Sequence, residues 1–168
     1  VTDTTTNAGA RPPAVFAVAA VMLLFHVGCL AILFVGTSVA AITTAVVLYL
    51  VRGFGVTAGF HRLLAHRSFQ TSRPVQFLLA LAGSLAMQGG PLWWVAHHRA
   101  HHRDTDTAGD IHSPGVHGFW QAHMGWMMSA EAFQEKGANA RDLHRFPELK
   151  FLQRNYVALV LVQAALLF

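Results

Sequence analysis

The run His98-Arg-Ala-His101-His102 carries imidazoles at i, i+3 and i+4. On a helix these positions fall within an arc of about 100°, so His98, His101 and His102 can aim at one point. Three imidazoles on one face cost helix propensity and gain little from burial. A metal ion is the simplest way to make the arrangement favourable, because neutral imidazole ligates iron, zinc and copper. The alternative is a solvated, histidine-rich turn. A second pair, His61 and His66, stands at i, i+5, which a regular helix separates by about 140°. One ion is then hard to chelate with both unless the helix ends between them, and two ions, one on each side, fit more easily. His97 lies only about 40° beyond His101 on the wheel, so spacing alone leaves it open as a ligand. His26 has no second ligand type near it and reads as a hydrogen-bonding residue in helix packing.

The elements that must carry these residues belong to a membrane protein. Hydrophobic residues make up 54% and charged residues only 12%, against about 25% charged in a soluble domain; mean hydropathy is +0.41. No charged residue occurs between Arg11 and Arg52, and ten of the 11 histidines follow residue 60. The net charge of +4 is too small and scattered for nucleic acid and fits a face against anionic lipid or an acidic cofactor. Cys29 is the single cysteine, which excludes an internal disulfide and a cysteine-based metal cluster.

Residues 1–13 read as a disordered polar tail. Residues 14–35 form an apolar run long enough for a bilayer core of about 30 Å. Gly36-Thr37-Ser38 makes a turn into a second span at 39–57, with Arg52 near its end. Arg52, Arg62, Arg67 and Arg73 put that end in the cytoplasm by the positive-inside rule. Residues 75–96 are uncharged but contain Gln76, Gln88 and the breaker Gly89-Gly90-Pro91. If this stretch crossed the bilayer, the two histidine groups would lie on opposite sides. A shared site therefore requires 75–90 to be interfacial or re-entrant. Trp93-Trp94 leads into the histidine cluster as an interfacial anchor, or with one indole lining an acyl channel. The carboxylates of 104–110 can support ligand imidazoles or simply be solvated. Residues 119–130 are aromatic and Met-rich and lie against the membrane or the site. Residues 131–154 are amphipathic and read as cytoplasmic. Residues 155–168 are apolar but too short to span, and look like the start of a third span. The fold class expected is all-α, an integral membrane helical protein.

His61-Arg-Leu-Leu-Ala-His66-Arg-Ser-Phe and His98-Arg-Ala-His101-His102-Arg resemble the first two histidine boxes of membrane fatty-acyl desaturases of the Δ9 acyl-CoA type. Gly59-Phe60, Asp104-Thr-Asp, Gly118-Phe-Trp and His123-Met-Gly-Trp126 also look like that family, and the resemblance runs from about residue 15 to the end. It implies two iron ions held by histidine on the cytoplasmic side, with His61, His66, His98, His101 and His102 as ligands. By the same resemblance His97 is not a ligand, Trp94 lines the acyl tunnel, and Arg99 lies near the coenzyme A end. The family's third box, His-Asn-x-His-His or close to it, and a further upstream ligand are not found, and His112, His117, His123 and His144 do not have that spacing. The expectation is an N-terminal part with about half the metal site, inactive as it stands.

The implied reaction is O2-dependent insertion of a cis double bond into a long saturated acyl chain. An unactivated methylene demands a strong oxidant, and redox iron ligated by imidazole supplies one. The implied partners are a long-chain acyl thioester (CoA or carrier protein) or acyl lipid, O2, membrane lipid and an electron donor. That donor would be cytochrome b5-like, a ferredoxin or an NAD(P)H reductase. Arg62, Arg67, Arg99 and Arg103 are candidates for docking the donor or the carrier's phosphates, or simply carry the positive-inside signal. Rival readings are a membrane di-iron hydroxylase or ketolase, a non-catalytic remnant, and a metal-binding or transport protein.

Overall fold

The computed structural model describes residues 13–133 and 137–167; the tail expected at 1–13 lies, but for Pro13, outside the described residues. All regular elements described are helical. The chain divides into two compact units, one from residues up to 36 with 105–134, the other from 37–104 with the residues after 134.

In the first unit, α1 (Pro13–Leu30) runs into a 3-10 turn at Ala31–Leu33. The stretch Val15–Leu33 has a mean hydropathy of 2.6 and is long and apolar enough to cross a membrane. Leu23, Leu24 and Leu33 are exposed along it, as lipid-facing residues are. His26 Nδ1 bonds the Met22 carbonyl 2.7 Å away, one turn back in its own helix. The later part of this unit holds the short helices Pro114–His117 and Phe119–His123 and a 3-10 turn, Gly125–Met128, that packs on α1. Asp110 is buried and accepts from the Asp106 amide, while Ser113 Oγ donates to Asp106, so two carboxylates of the acidic stretch organise their own loop.

In the second unit, Ser38 caps α2 (Val39–Phe54) by accepting from the Ala41 amide at 3.1 Å. The helix does not stop at Phe54. It continues as a π-helix over Gly55–Ala65, so that 27 residues, Val39–Ala65, form one apolar rod. The change of winding coincides with glycines. A Cβ on Gly55 would stand 2.3 Å from the Gly83 amide, and one on Gly59 would stand 2.8 Å from the Leu79 carbonyl. These two glycines let α3 (Arg73–Ser84) pack with its backbone against the π-helical segment. At 12 residues α3 is about 18 Å long, short of the bilayer core.

Gly89, at φ +104°, turns the chain into α4 (Pro91–Asp104). Its amide donates to the Tyr156 hydroxyl at 3.0 Å. The N-terminus of α4 is satisfied from far along the chain: Gln153 Oε1 accepts from the Leu92 and Trp93 amides, both at 3.0 Å. Gln153 lies on α5 (Pro147–Arg154), whose Leu149 and Leu152 are fully buried in the core with Phe60, Leu64, Val95 and Leu143. Glu148 on the same helix accepts from Arg73 Nε at 3.0 Å and Gln76 Nε2 at 3.1 Å at the start of α3. One amphipathic helix thus holds the beginnings of both α3 and α4. The chain then enters α6 (Tyr156–Leu167), an apolar helix of 12 residues.

Two substitutions test this packing in detergent. Gly59→Ala should lower stability by about 1–3 kcal/mol, because the clash is with backbone that cannot turn aside. An unchanged melting midpoint would show that α3 does not approach so closely. Gln153→Leu keeps the volume but strands two half-buried amides and should cost about 1–3 kcal/mol, read from the same melt.

Candidate metal centre

His61 and His66 sit on one wall of the second unit and His98 and His102 on another. One candidate ligand atom from each lies within 4.8 Å of all the others. The Nε2 atoms of His66 and His98 are 3.2 Å apart. The His61 ring stands 4.5 Å from His66 and 4.7 Å from His98, both edge-on, and the His98 and His102 rings are 4.5 Å apart.

The i, i+5 pair converges because its segment is wound as a π-helix. The His66 amide donates to the His61 carbonyl at 2.9 Å, the i→i+5 bond that defines that winding. Residue i+5 then stands about one turn on, above residue i, instead of about 140° away. Regular α winding, which would set the pair about 140° apart, does not hold here, and the helix ends at Ala65, between the two histidines. The sequence offers a faint signal for this in Gly55 and Gly59, which would weaken a regular helix.

On α4, His98 and His102 bring their nitrogens into the cluster. The His101 ring lies 6.3 Å from His98 and 5.6 Å from His102, and it is not among the four that converge. His97 is buried, stacked on Trp93 at 4.2 Å and bonded through Nδ1 to the Trp93 carbonyl at 2.9 Å. Trp94, half-buried, stacks on His98 at 4.6 Å with planes 20° apart and touches Phe60, which is fully buried. Its indole N–H donates to Gln88 Oε1 at 3.4 Å.

Burial pushes the His98 imidazole down to about 3, helped by the neighbouring His102, His61, His66 and His101. His102 is lowered in the same way, by burial first and then by His66 and His101. The cluster favours neutral rings, the form that ligates metal. The donor set is four imidazole nitrogens with no carboxylate among them. It fits a transition metal such as ferrous iron and does not suit calcium or magnesium.

The arginines between the histidines are largely committed. Arg99 donates from Nε to the Ala65 carbonyl (3.0 Å) and from Nη1 to the Asn139 carbonyl (2.8 Å) and Asp142 Oδ1 (2.7 Å). Its Nη2 reaches the Leu64 carbonyl (2.7 Å) and Asp142 Oδ2 (3.4 Å). Arg67 also pairs with Asp142, and Arg103 pairs with Asp104 and donates to Asn139 Oδ1 at 3.2 Å. Arg62 is exposed. Burial alone would raise the Asp142 carboxyl, but hydrogen bonds and charge from Arg99 and Arg67 outweigh it and hold the group below the usual carboxylate range. Asn139 and Asp142 were not singled out by sequence reasoning, since no local pattern marks them.

A family model described as fatty acid desaturase matches residues 37–168. The chain is 44% identical over 125 residues to the acyl-CoA C20 Delta5-desaturase of Anemone leveillei, covering 72% of this chain and 40% of that one. It is 39% identical over 145 residues to the sn-1 stearoyl-lipid 9-desaturase of Anabaena variabilis, covering 84% of this chain and 53% of that one. It is 40% identical over 131 residues to the Delta-9 acyl-lipid desaturase 1 of Arabidopsis thaliana, covering 76% and 43%. The chain spans about half the length of these relatives, or somewhat less. Its two long apolar helices agree with the membrane character of such proteins. Two histidine-bearing segments folded onto one another, and a family match across most of the sequence, give one conclusion: the chain belongs to the fatty acid desaturase family.

Proposed function

We propose that this chain supplies two histidine boxes to a membrane-bound, O2-dependent fatty acyl desaturase that places a cis double bond at Δ9 of a long saturated acyl thioester or acyl lipid. The observation that carries this reading is the convergence of His61, His66, His98 and His102 beside the Trp94 indole. The names of the relatives, which include acyl-CoA and acyl-lipid desaturases, support the substrate class, and two of the three quoted act at position 9.

His61, His66, His98 and His102 would hold iron, with His101 contributing to a second ion. Bound iron would supply the oxidising power, drawn from O2 and externally delivered electrons, that an unactivated methylene requires. The chain's own residues do the rest. Trp94 fixes the His98 ring by stacking and, with Phe60 behind it, offers an apolar wall along which an acyl chain can lie and from which water is excluded. The long apolar helices Val15–Leu33 and Val39–Ala65 anchor the site at a bilayer, where its substrate is, with the boxes on the cytoplasmic side and α3 at the interface. Electrons come from a cytochrome b5-like protein, a ferredoxin or an NAD(P)H reductase.

Four imidazoles complete one four-coordinate site but not two. The chain purified in detergent and loaded anaerobically with Fe(II) should hold fewer than two irons per molecule and form no alkene, and His98→Ala should bind at least about tenfold more weakly. Two tightly held irons per chain would show that further residues, or a second copy, complete a di-iron centre. Expression, in a desaturase-deficient host, of a longer protein that joins this chain to a third histidine box should give cis-9 monoenes on gas chromatography; hydroxy or keto acids would assign the chain to a hydroxylase or ketolase instead.

With chelator present, stability should be full above about pH 6.5, the unfolded value for histidine, and decline as pH falls toward 3. The sign follows because the unfolded chain binds protons there while the folded cluster does not. Melting midpoints between pH 8 and 4 test this, and His98→Asn should flatten the profile.

A further inference from the structure

We propose that Arg99 and Asp142 form a clamp that sets the distance between the two histidine-bearing segments, so that Arg99 is a positioning residue for the metal site and not a contact for the acyl carrier. A guanidinium has five N–H donors. In Arg99 all five meet acceptors of this chain: the carbonyls of Leu64, Ala65 and Asn139, and both carboxylate oxygens of Asp142. No donor remains for a phosphate.

The placement of these acceptors explains the role. Leu64 and Ala65 are the last two residues of the π-helix, directly before His66. Helix termini leave their final carbonyls without partners in the helix, and Arg99 supplies donors to two of them. Arg99 itself stands next to His98 on α4. One side chain therefore bonds the end of the first histidine segment while its own backbone belongs to the second. Asp142, on the 3-10 segment Gly137–Arg145, grips the far edge of the same guanidinium and also pairs with Arg67, the residue after His66. Asn139 closes the arrangement from its other side, with Nδ2 donating to the Ala96 carbonyl on α4 at 3.2 Å.

Lysine cannot replace such a residue, because one ammonium does not reach carbonyls and a carboxylate on opposite edges of a planar fork. With Asp142 neutralised, the half-buried guanidinium keeps its carbonyl bonds but loses its counter-charge, and the two segments are free to shift. A shift of an ångström separates nitrogens that now lie within 4.8 Å.

This inference rests on the metal reading of the histidine cluster, and the test separates the two. The detergent-solubilised chain is titrated with Co(II), and its visible d–d bands report ligand number and geometry. Wild type should show histidine-ligand bands. Asp142→Asn and Arg99→Lys should bind about 10- to 100-fold more weakly with shifted bands, and Asp142→Glu should recover most of the affinity. Helical circular dichroism restricts the comparison to folded chains, and Arg99→Lys serves if Asp142→Asn does not fold. Variants with the wild-type affinity and spectrum would overturn the clamp and leave the metal reading standing. A wild-type chain that shows no histidine-ligated cobalt would overturn the metal reading, and the clamp with it.

Discussion

Four imidazole rings held nitrogen to nitrogen are an unfavourable arrangement for a chain on its own. Any proton on one ring is opposed by the others, and burial opposes it further, as the depressed His98 shows. Neighbouring neutral rings offer each other weak edge-on contacts and one hydrogen bond, between His66 and His98 at 3.2 Å. The histidines do not pull the segments together; the fold must push the histidines together. Most of the second unit can be read as the means to that end. Gly55 and Gly59 allow close approach of α3, Gln153 and Glu148 fasten the starts of α4 and α3, and a leucine-rich core lies beneath.

The energy for this comes from ordinary sources. Phe60, Leu64, Val95, Leu149 and Leu152 are buried almost completely, each contributing roughly 1.5–3 kcal/mol on transfer from water. Polar fastenings then select one arrangement of the segments among those the apolar core would tolerate. Glu148, Asp142, Asn139 and Gln153 all lie after residue 136, whereas the groups they hold lie before residue 104. The amphipathic stretch that carries none of the four converging histidines is what fixes them in place.

Much of this was readable in the residues. The i, i+3, i+4 histidines sit on a helix, two apolar runs form long helices, and Gly89-Gly90-Pro91 breaks the chain before α4. What escaped has a common cause. Helical-wheel reasoning assumes one winding, and the π-helix changes the angle per residue while leaving the residue types unaltered. The ion pairs joining Arg67 and Arg99 to Asp142 cross 75 and 43 residues of chain, and no local pattern encodes a partner that distant. His101, equivalent to His98 and His102 on a wheel, differs from them once real neighbours are present.

The π-helical winding has a consequence for how this sequence can change in length. A segment closed by i→i+5 bonds packs more residues into each turn than the α-helix leading into it. The interval from His61 to His66 therefore holds surplus length: losing one of the residues between them leaves an i, i+4 pair, which α winding also brings to one face. In α4 the winding is already regular. An insertion between His98 and His102 leaves an i, i+5 pair, which α winding sets about 140° apart on different faces. Insertions and deletions should be unevenly tolerated across the two boxes, so the spacing of His98 to His102 is the more rigid of the two inherited intervals.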